Sequence, residues 1–385
     1  MSRAFGNRML NPFVAAEEPQ IQGESARKLV LMRVINLIKE LWRALFFICS
    51  IQFWRMALLW TFFVAYSHIQ LLKDSLFSQK IVPYPRSSPS TFPNRPVCVI
   101  TGATSGLGLS TACKLSKDGY VVVIVGRSEQ LLSETITKIK GWHEDAQLKA
   151  FQADLSSIES IIKFKNSLRQ WLLDSDLHCS IQILINNAGI LATSPRATAE
   201  GFDQMIGTNY ISAFVLTKLL LPLLESSPVS SKIVNVASFT HRAVTDMQVD
   251  EGTVSGKRFL SSKHYPYAQI YEYSKICLLL FSFELHRQLC QMGKSHQIFV
   301  NVADPGVVQT NIMRDVPASL SWLAFYVLKH LRLLQSPESG KEAIIDAALA
   351  PPGTSGAYFF GGKGLGMHIE DHAIANHKSK DLEGT

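Results

Sequence analysis

The sequence predicts an α/β protein built on a doubly wound parallel sheet, and three observations carry that expectation. Six short apolar segments, 97–100, 121–125, 149–153, 181–185, 232–236 and 299–302, recur along the chain. Stretches with helical periodicity lie between them, notably 107–118, 157–173, 203–225 and 268–292. The first apolar segment runs directly into a glycine-rich turn and then into a helical pattern. Strands that are apolar along their whole length are buried on both faces, and strand–helix alternation supplies the covering layers.

Before these segments the chain has a different character. Residues 1–28, with Pro12, Glu17, Glu18 and Pro19, read as a disordered tail, and their acidic residues argue against a transit peptide. From 29 to 77 the chain is predominantly apolar, and 44–66 is long enough to cross a bilayer. Arg55 sits at the centre of that run, where a charge is costly in lipid. A tilted in-plane helix or a hairpin bent near Arg55 are the alternatives to a span, and a buried helix pair of a larger fold is the soluble one. Residues 78–96 contain five prolines and several serines and read as a stiff linker. The main folded domain is expected over 97–365 and a polar tail over 366–385. His372 and His377 in that tail lack acid or thiol partners at ligand spacing, so no metal site is expected.

Charge divides the same way. Residues 1–96 carry 12 Lys/Arg against 5 Asp/Glu, whereas residues 97–385 carry 26 of each. A folded region without a basic excess argues against a nucleic-acid enzyme. A basic apolar segment suits an anionic membrane surface. The six cysteines form no C-x-x-C pair and read as reduced structural thiols.

The turn after the first strand is TGATSGLG at 101–108. Gly102, Gly106 and Gly108 permit a tight turn and let backbone approach a pyrophosphate at a helix N-terminus, as in Rossmann-type folds. The end of the second strand reports the nucleotide. An acidic residue there would accept the ribose hydroxyls of NAD; here Gly126 is followed by Arg127, whose guanidinium suits a 2′-phosphate. NADP(H) is therefore favoured over NAD(H), the alternative being that Arg127 is a surface cation. Asn-Asn-Ala-Gly at 186–189 puts small and amide residues at the carboxyl end of a strand, where open α/β sheets bind ligands. Tyr271 and Lys275 lie one helical turn apart, and an ammonium close to a phenol favours the phenolate. Tyr265, Tyr267 and Tyr273 have no lysine four residues on.

In order, TGATSGLG at 101–108, NNAG at 186–189, Asn209, Ser238 and Tyr271-x-x-x-Lys275 resemble the short-chain dehydrogenase/reductase family over roughly residues 95–365. The long interval from Ser238 to Tyr271 and the segments 336–340 and 355–360 resemble its retinol-dehydrogenase-like branch. The layout is also similar to that of membrane-anchored plant reductases of the Forever Young type. The resemblance implies that Gly102, Ser105, Gly106, Leu107 and Gly108 line the pyrophosphate turn. It implies that Asp154, with Leu155, contacts the adenine, and that Asn187, Ala188 and Gly189 flank the nicotinamide ribose. It further implies that Asn209 supports a proton relay, Ser238 positions the substrate oxygen, and Tyr271 exchanges its proton. Lys275 would hold the ribose and lower the tyrosine pKa, while Pro305, Gly306 and Thr310 would border the nicotinamide. Asp304 stands where many relatives have histidine, and a glycine after the serine is not evident in 239–242.

The implied enzyme interconverts an alcohol and its carbonyl. Apolar residues in 313–335 serve either core packing or a lipid-facing lid. With the anchor they suggest a lipophilic substrate: a retinoid, steroid, polyprenol or fatty aldehyde. Basic residues before the apolar run would put the enzyme domain in a lumen if the run spans. The absence of an Asn-x-Ser/Thr sequon from residues 97–385 favours a cytosolic domain on an endoplasmic-reticulum or other endomembrane instead. A membrane-tethered nucleotide-binding scaffold or redox sensor without turnover is the competing function, but it has no need of Tyr271, Lys275, Ser238 and Asn209 together. A nucleotide-sugar epimerase would need a larger substrate domain after the sixth strand.

Overall fold

A computed structural model describes residues 18–77, 86–87, 95–175, 177–361 and 365–368. The expected tail up to residue 17, most of the 78–96 linker, and the C-terminus with His372 and His377 lie outside the described residues.

The apolar segments form β1 (Val97–Thr101), β2 (Val121–Gly126), β3 (Leu148–Gln152), β4 (Ile183–Asn186), β5 (Ser231–Val236) and β6 (Ile298–Asp304). A short parallel pair, β7 (Val307–Val308) and β8 (Leu334–Gln335), forms a separate small sheet. β9 (Ala357–Phe360) and β10 (Leu365–His368) complete the main sheet, whose order is β10-β9-β6-β5-β4-β1-β2-β3. All its pairings are parallel except β10 with β9. The expected tail from 366 therefore differs from the fold, because 366–368 lie within β10.

Alternation within the strands divides the core in two. Val97, Val99, Val121 and Val123 pack with Phe164, Leu168, Leu220, Leu278 and Leu285, which come from the helices Ile158–Asp174, Ser212–Glu225 and Tyr267–Gln291. Cys98, Ile100, Val122 and Ile124 point the other way, onto Ala112, Leu115, Leu132, Ile139 and Ile345 of the helices Gly106–Lys117, Glu129–Trp142 and Pro337–Leu349. This is the two-residue period of a strand buried on both faces. The chain leaves β1 toward β2 and β3, then crosses to β4 on the other side of β1. Ligands of open α/β sheets bind at the carboxyl ends of strands beside such a reversal.

The apolar N-terminal segment departs from the expected continuous run. The helix Glu18–Ile48 ends before Cys49, and Ser50 caps a new helix by accepting from the Phe53 amide at 3.1 Å. The described residues divide into two units, one ending at Cys49 and the other starting at Ser50. In the first, Leu31, Trp42, Phe46 and other large apolar residues are exposed. In the second, the helix Ile51–Trp54, a π-helical turn Arg55–Trp60 and the helix Thr61–Phe77 lie within the same unit as the sheet. Val64 is fully buried in a third apolar cluster with Ala237, Phe239, Leu279, Val302, Tyr358 and Phe360. Half of the expected anchor is thus part of the packing of the sheet domain. The segments 28–48 and 51–69 reach membrane-spanning hydropathy when taken together. Among the described residues, the helical stretch that reaches it by itself is Gln204–Glu225, which is half buried inside the domain. The linker is fastened at Arg86, which pairs with Glu342 at 2.6 Å and Asp346 at 2.8 Å, and at Ser87, whose amide donates to the Leu349 carbonyl.

Candidate active site

The glycine turn is built as its sequence requires. Gly102 and Gly106 have φ of +65° and +52°, in the left-handed region that glycine occupies without strain. A Cβ on Gly108 would lie 2.4 Å from the Gly102 carbonyl oxygen and 2.6 Å from Asn187 Nδ2. No side chain fits there. Ser105 begins the helix Gly106–Lys117 in an extended conformation, and its hydroxyl makes no cap bond to that helix. The helix N-terminus so left uncapped by Ser105 suits an anion. Leu107 is half-buried and packs on the second core cluster.

Thr101 fastens this turn to the end of β4. Its Oγ1 accepts from the amides of Asn187 and Ala188, both at 3.0 Å. Asn187 Nδ2 donates to the Thr101 carbonyl at 2.8 Å. Thr310 closes the other side, its Cγ2 being 3.0 Å from where a Gly106 Cβ would lie. Pro305 is buried, and its carbonyl accepts from Gln335 Nε2; Gly306 turns the chain with φ +71°. Arg127 projects exposed from the end of β2. Asp154 is also exposed, but its Oδ1 accepts from the Ser156 amide and hydroxyl, so one oxygen is spent holding its own turn. The Leu155 side chain belongs to the first core cluster.

Asn209, Ser238, Tyr271 and Lys275 are all buried. Asn209 lies in a π-helical turn, Gly207–Ile211, a departure from α-helix that often accompanies functional sites. Its amide accepts from the Ile190 amide at 2.8 Å and donates to the Ile190 carbonyl and to Ser274 Oγ, both at 3.0 Å. Ser238 follows β5, caps the short helix Phe239–Ala243, and is close enough to Tyr271 to favour its ionised form. Lys275 Nζ donates to the Val236 carbonyl at 2.8 Å and lies 5.8 Å from the centre of the Tyr271 ring. A Cβ on Gly189 would be 3.5 Å from Asn209 Oδ1 and 3.7 Å from Lys275 Nζ. These groups therefore face one cradle. The neighbouring tyrosines are otherwise engaged: Tyr265 donates to Asp203 at 2.7 Å and Tyr273 to the Asp246 carbonyl at 3.0 Å.

The electrostatics correct one expectation. Lysine was expected to lower the Tyr271 pKa, but burial dominates and raises it; the nearby Ser238 side chain offsets part of the rise and the Asp304 charge adds to it. Burial also brings Lys275 down to about 8, against the attraction of Asp304. Asp304, the departure from the family pattern noted in the sequence, is fully buried. Burial raises its pKa, while Tyr358 Oη donating at 2.6 Å and the Gly306 amide at 2.9 Å support its charge.

Sequence reasoning missed a second group. Glu272, next to Tyr271, is wholly buried and receives Arg55 Nε at 2.9 Å and Arg55 Nη2 at 2.5 Å. Trp60 Nε1 donates to the same carboxylate at 2.7 Å, and the Trp60 ring lies 5.5 Å from the Tyr271 ring. The available signal was Arg55, a lone charge in an otherwise apolar run that calls for a carboxylate elsewhere. A cavity of about 570 Å³ lined by Arg95, Gln147, Lys149 and Trp171 is remote from this chemistry, at the opposite ends of β2 and β3.

The residues fit a nicotinamide dinucleotide: a turn that admits no Cβ at Gly108, an uncapped helix start, and a cradle between Gly189, Asn209 and Lys275. Comparison with known proteins agrees. Residues 96–248 match the family model described as short chain dehydrogenase. The chain is 34% identical to human polyprenol dehydrogenase over 71% of its own length and 79% of that protein. It is 31% identical to mouse retinol dehydrogenase 14 over 68% and 76% of the two chains. Among solved structures, a protein from Mycobacterium paratuberculosis aligns with a TM-score of 0.54 at 24% identity, covering 76% of this chain and 94% of that one. An NADPH-bound short chain oxidoreductase from Pseudomonas aeruginosa aligns with a TM-score of 0.54 at 20% identity, covering 74% and 100%. With its sheet order, glycine turn and extended likeness to these dehydrogenases, the chain belongs to the short-chain dehydrogenase family.

Proposed function

We propose that the protein is an NADP(H)-dependent oxidoreductase that interconverts a lipophilic alcohol and its carbonyl at a membrane surface, with Tyr271 as the acid/base. The observation that carries this reading is the meeting of Tyr271, Ser238, Lys275 and Asn209 around one cradle beside the glycine turn. A bound nicotinamide supplies or accepts the hydride. The chain's own residues do the rest. The Gly102–Gly108 turn and the helix start hold the pyrophosphate, and Arg127 pairs with the 2′-phosphate. Ser238 hydrogen-bonds the substrate oxygen. Tyr271, kept protonated at neutral pH by its burial, donates its proton to that oxygen during carbonyl reduction. Lys275 holds the nicotinamide ribose, and Asn209 fixes the backbone at Ile190 that forms the far wall.

The lipophilic substrate class is supported by the names of the relatives, polyprenol and retinol dehydrogenases, and by exposed apolar surface. The helix Ala318–His330 exposes Trp322, Leu323, Tyr326 and Val327 and ends in Lys329 and His330. The helix Glu18–Ile48 exposes still more apolar surface and suits an in-plane attachment with the enzyme domain on the cytosolic face.

The test is a panel of polyprenols, retinoids, steroids and fatty aldehydes with NADPH, NADP, NADH and NAD. Turnover is expected with the phosphorylated cofactors, and an enzyme that binds NADPH but turns over nothing in the panel would favour the scaffold reading. Arg127→Ala is expected to raise the KM for NADPH by about 10- to 100-fold, the worth of a charged hydrogen bond, and to leave NADH unaffected. Equal loss with both cofactors, measured by initial rates, would remove Arg127 from the phosphate site.

A further inference from the structure

We propose that residues 51–69, expected from sequence to be membrane anchor, form a wall of the active site, and that Arg55 and Trp60 are positioning residues acting on Tyr271 through Glu272. This deepens the oxidoreductase reading and rests on it.

The case starts from Glu272. It follows Tyr271 in the helix Tyr267–Gln291 and is wholly buried. A buried carboxylate needs partners, and removing one leaves an uncompensated charge. The partners here come from a segment 212 and 217 residues away. Arg55 grips both oxygens with two N–H donors, the fork geometry that gives direction as well as attraction. Its Nη2 also donates to the Ala243 carbonyl at 3.1 Å, in the turn that begins just after Ser238. Arg55 thus joins the chain following the serine to the residue following the tyrosine. Trp60 Nε1 donates to the Glu272 oxygen that also accepts from Arg55 Nε, and its ring, held there, lies tilted beside the Tyr271 ring. Ser50 Oγ lies 3.1 Å from Tyr267 Oη at the start of the tyrosine's helix, and Arg242 hydrogen-bonds Ser67 farther along the segment. An anchor that merely tethered the domain would not need this succession of polar contacts along the edge of the reacting groups. It resolves the lone arginine of the apolar run: Arg55 is matched by a carboxylate of the enzyme.

The mechanism is geometric. Proton transfer depends on the phenol lying within a fraction of an ångström of its acceptor, and a displacement of about 1 Å can cost on the order of 100-fold. Glu272, fixed from outside, restrains the helix turn that carries Tyr271, while the indole limits the ring's freedom and excludes water from its side.

The experiment uses the full chain in detergent with a protease site inserted at 80–84, plus Arg55→Met, Arg55→Lys and Trp60→Phe variants. After cleavage, the N-terminal fragment is expected to stay with the enzyme through gel filtration. Arg55→Met is expected to lower kcat by about 10-fold or more with KM and the NADPH Kd within about two-fold. Arg55→Lys is expected to recover part of kcat. A merely structural role would weaken NADPH binding and stability together. If Arg55→Met does not fold, Trp60→Phe keeps a ring beside Tyr271 and is expected to lower kcat about three-fold from the lost donor alone. Wild-type kcat in every variant, or release of the fragment with turnover intact, overturns the proposal. Absence of turnover in the uncut wild type is a different result: it defeats the oxidoreductase reading itself, and the positioning role with it.

Discussion

Tyr271→Phe is expected to bind NADPH normally and to lose about 1,000-fold in turnover, the middle of the range for a general acid. The substitution removes one oxygen and keeps the ring, so the packing against Trp60 at 5.5 Å survives. Stability should change little. The hydroxyl that is removed is buried, and any polar contact it makes is worth only about 1 kcal/mol. Titration of NADPH fluorescence and steady-state rates on the same preparation separate the two effects. Because burial raises the Tyr271 pKa, the residue serves as a donor at neutral pH, and the defect should be largest in carbonyl reduction. Turnover near the wild-type rate would mean that another group supplies the proton. The adjacent tyrosines are poor replacements, since Tyr265 and Tyr273 are already bonded to Asp203 and Asp246.

Gly108→Ala acts at the opposite end of the cofactor site and through sterics alone. A methyl group there would lie 2.4 Å from the Gly102 carbonyl oxygen and 2.9 Å from Ala103 Cα, both backbone atoms that cannot rotate away. The turn must open, which separates Asn187 from the Thr101 and Gly102 carbonyls that it bridges. Overpacking of this kind costs about 3 kcal/mol, and the melting temperature should fall by roughly 6 °C or more. NADPH binding is expected to disappear, because the same turn aims the helix start. Gly141→Ala, at a position where a Cβ meets nothing within 4 Å, serves as the control and should be neutral or slightly stabilising. Normal NADPH affinity in Gly108→Ala, read by titration, would separate the turn from the nucleotide.

The sheet was legible because its strands are apolar on both faces. Each of the six expected segments lies within one residue or two of an observed strand, and the alternation that sorts Val97 and Val99 from Cys98 and Ile100 is local. The glycine turn was legible because part of its constraint is local, the Gly108 Cβ position meeting the Gly102 carbonyl six residues back, whereas its contacts with Asn187 and Thr310 are not. What the sequence concealed was long-range. Arg55 read as a penalty in lipid, since nothing near it in the chain offers a carboxylate. Its partner Glu272 lies inside the Tyr271-x-x-x-Lys275 motif, three residues before a lysine, and only folding brings it to Arg55. The influence of Lys275 on Tyr271 was misjudged because helical spacing gives proximity but not burial, and burial governs both groups here. Asp304 was noticed as a departure from its relatives, but its anchoring by Tyr358 depends on β9 lying beside β6.

The fastening of Arg86 to Glu342 and Asp346 bears on how tightly the segment before it is kept. Eight residues separate Phe77 from Arg86, a chain that can extend no farther than about 30 Å. Any local opening of residues 51–77 is therefore an intramolecular event, with an effective concentration of the order of millimolar. Even a docking free energy too weak to hold two separate molecules together would keep such a segment closed most of the time.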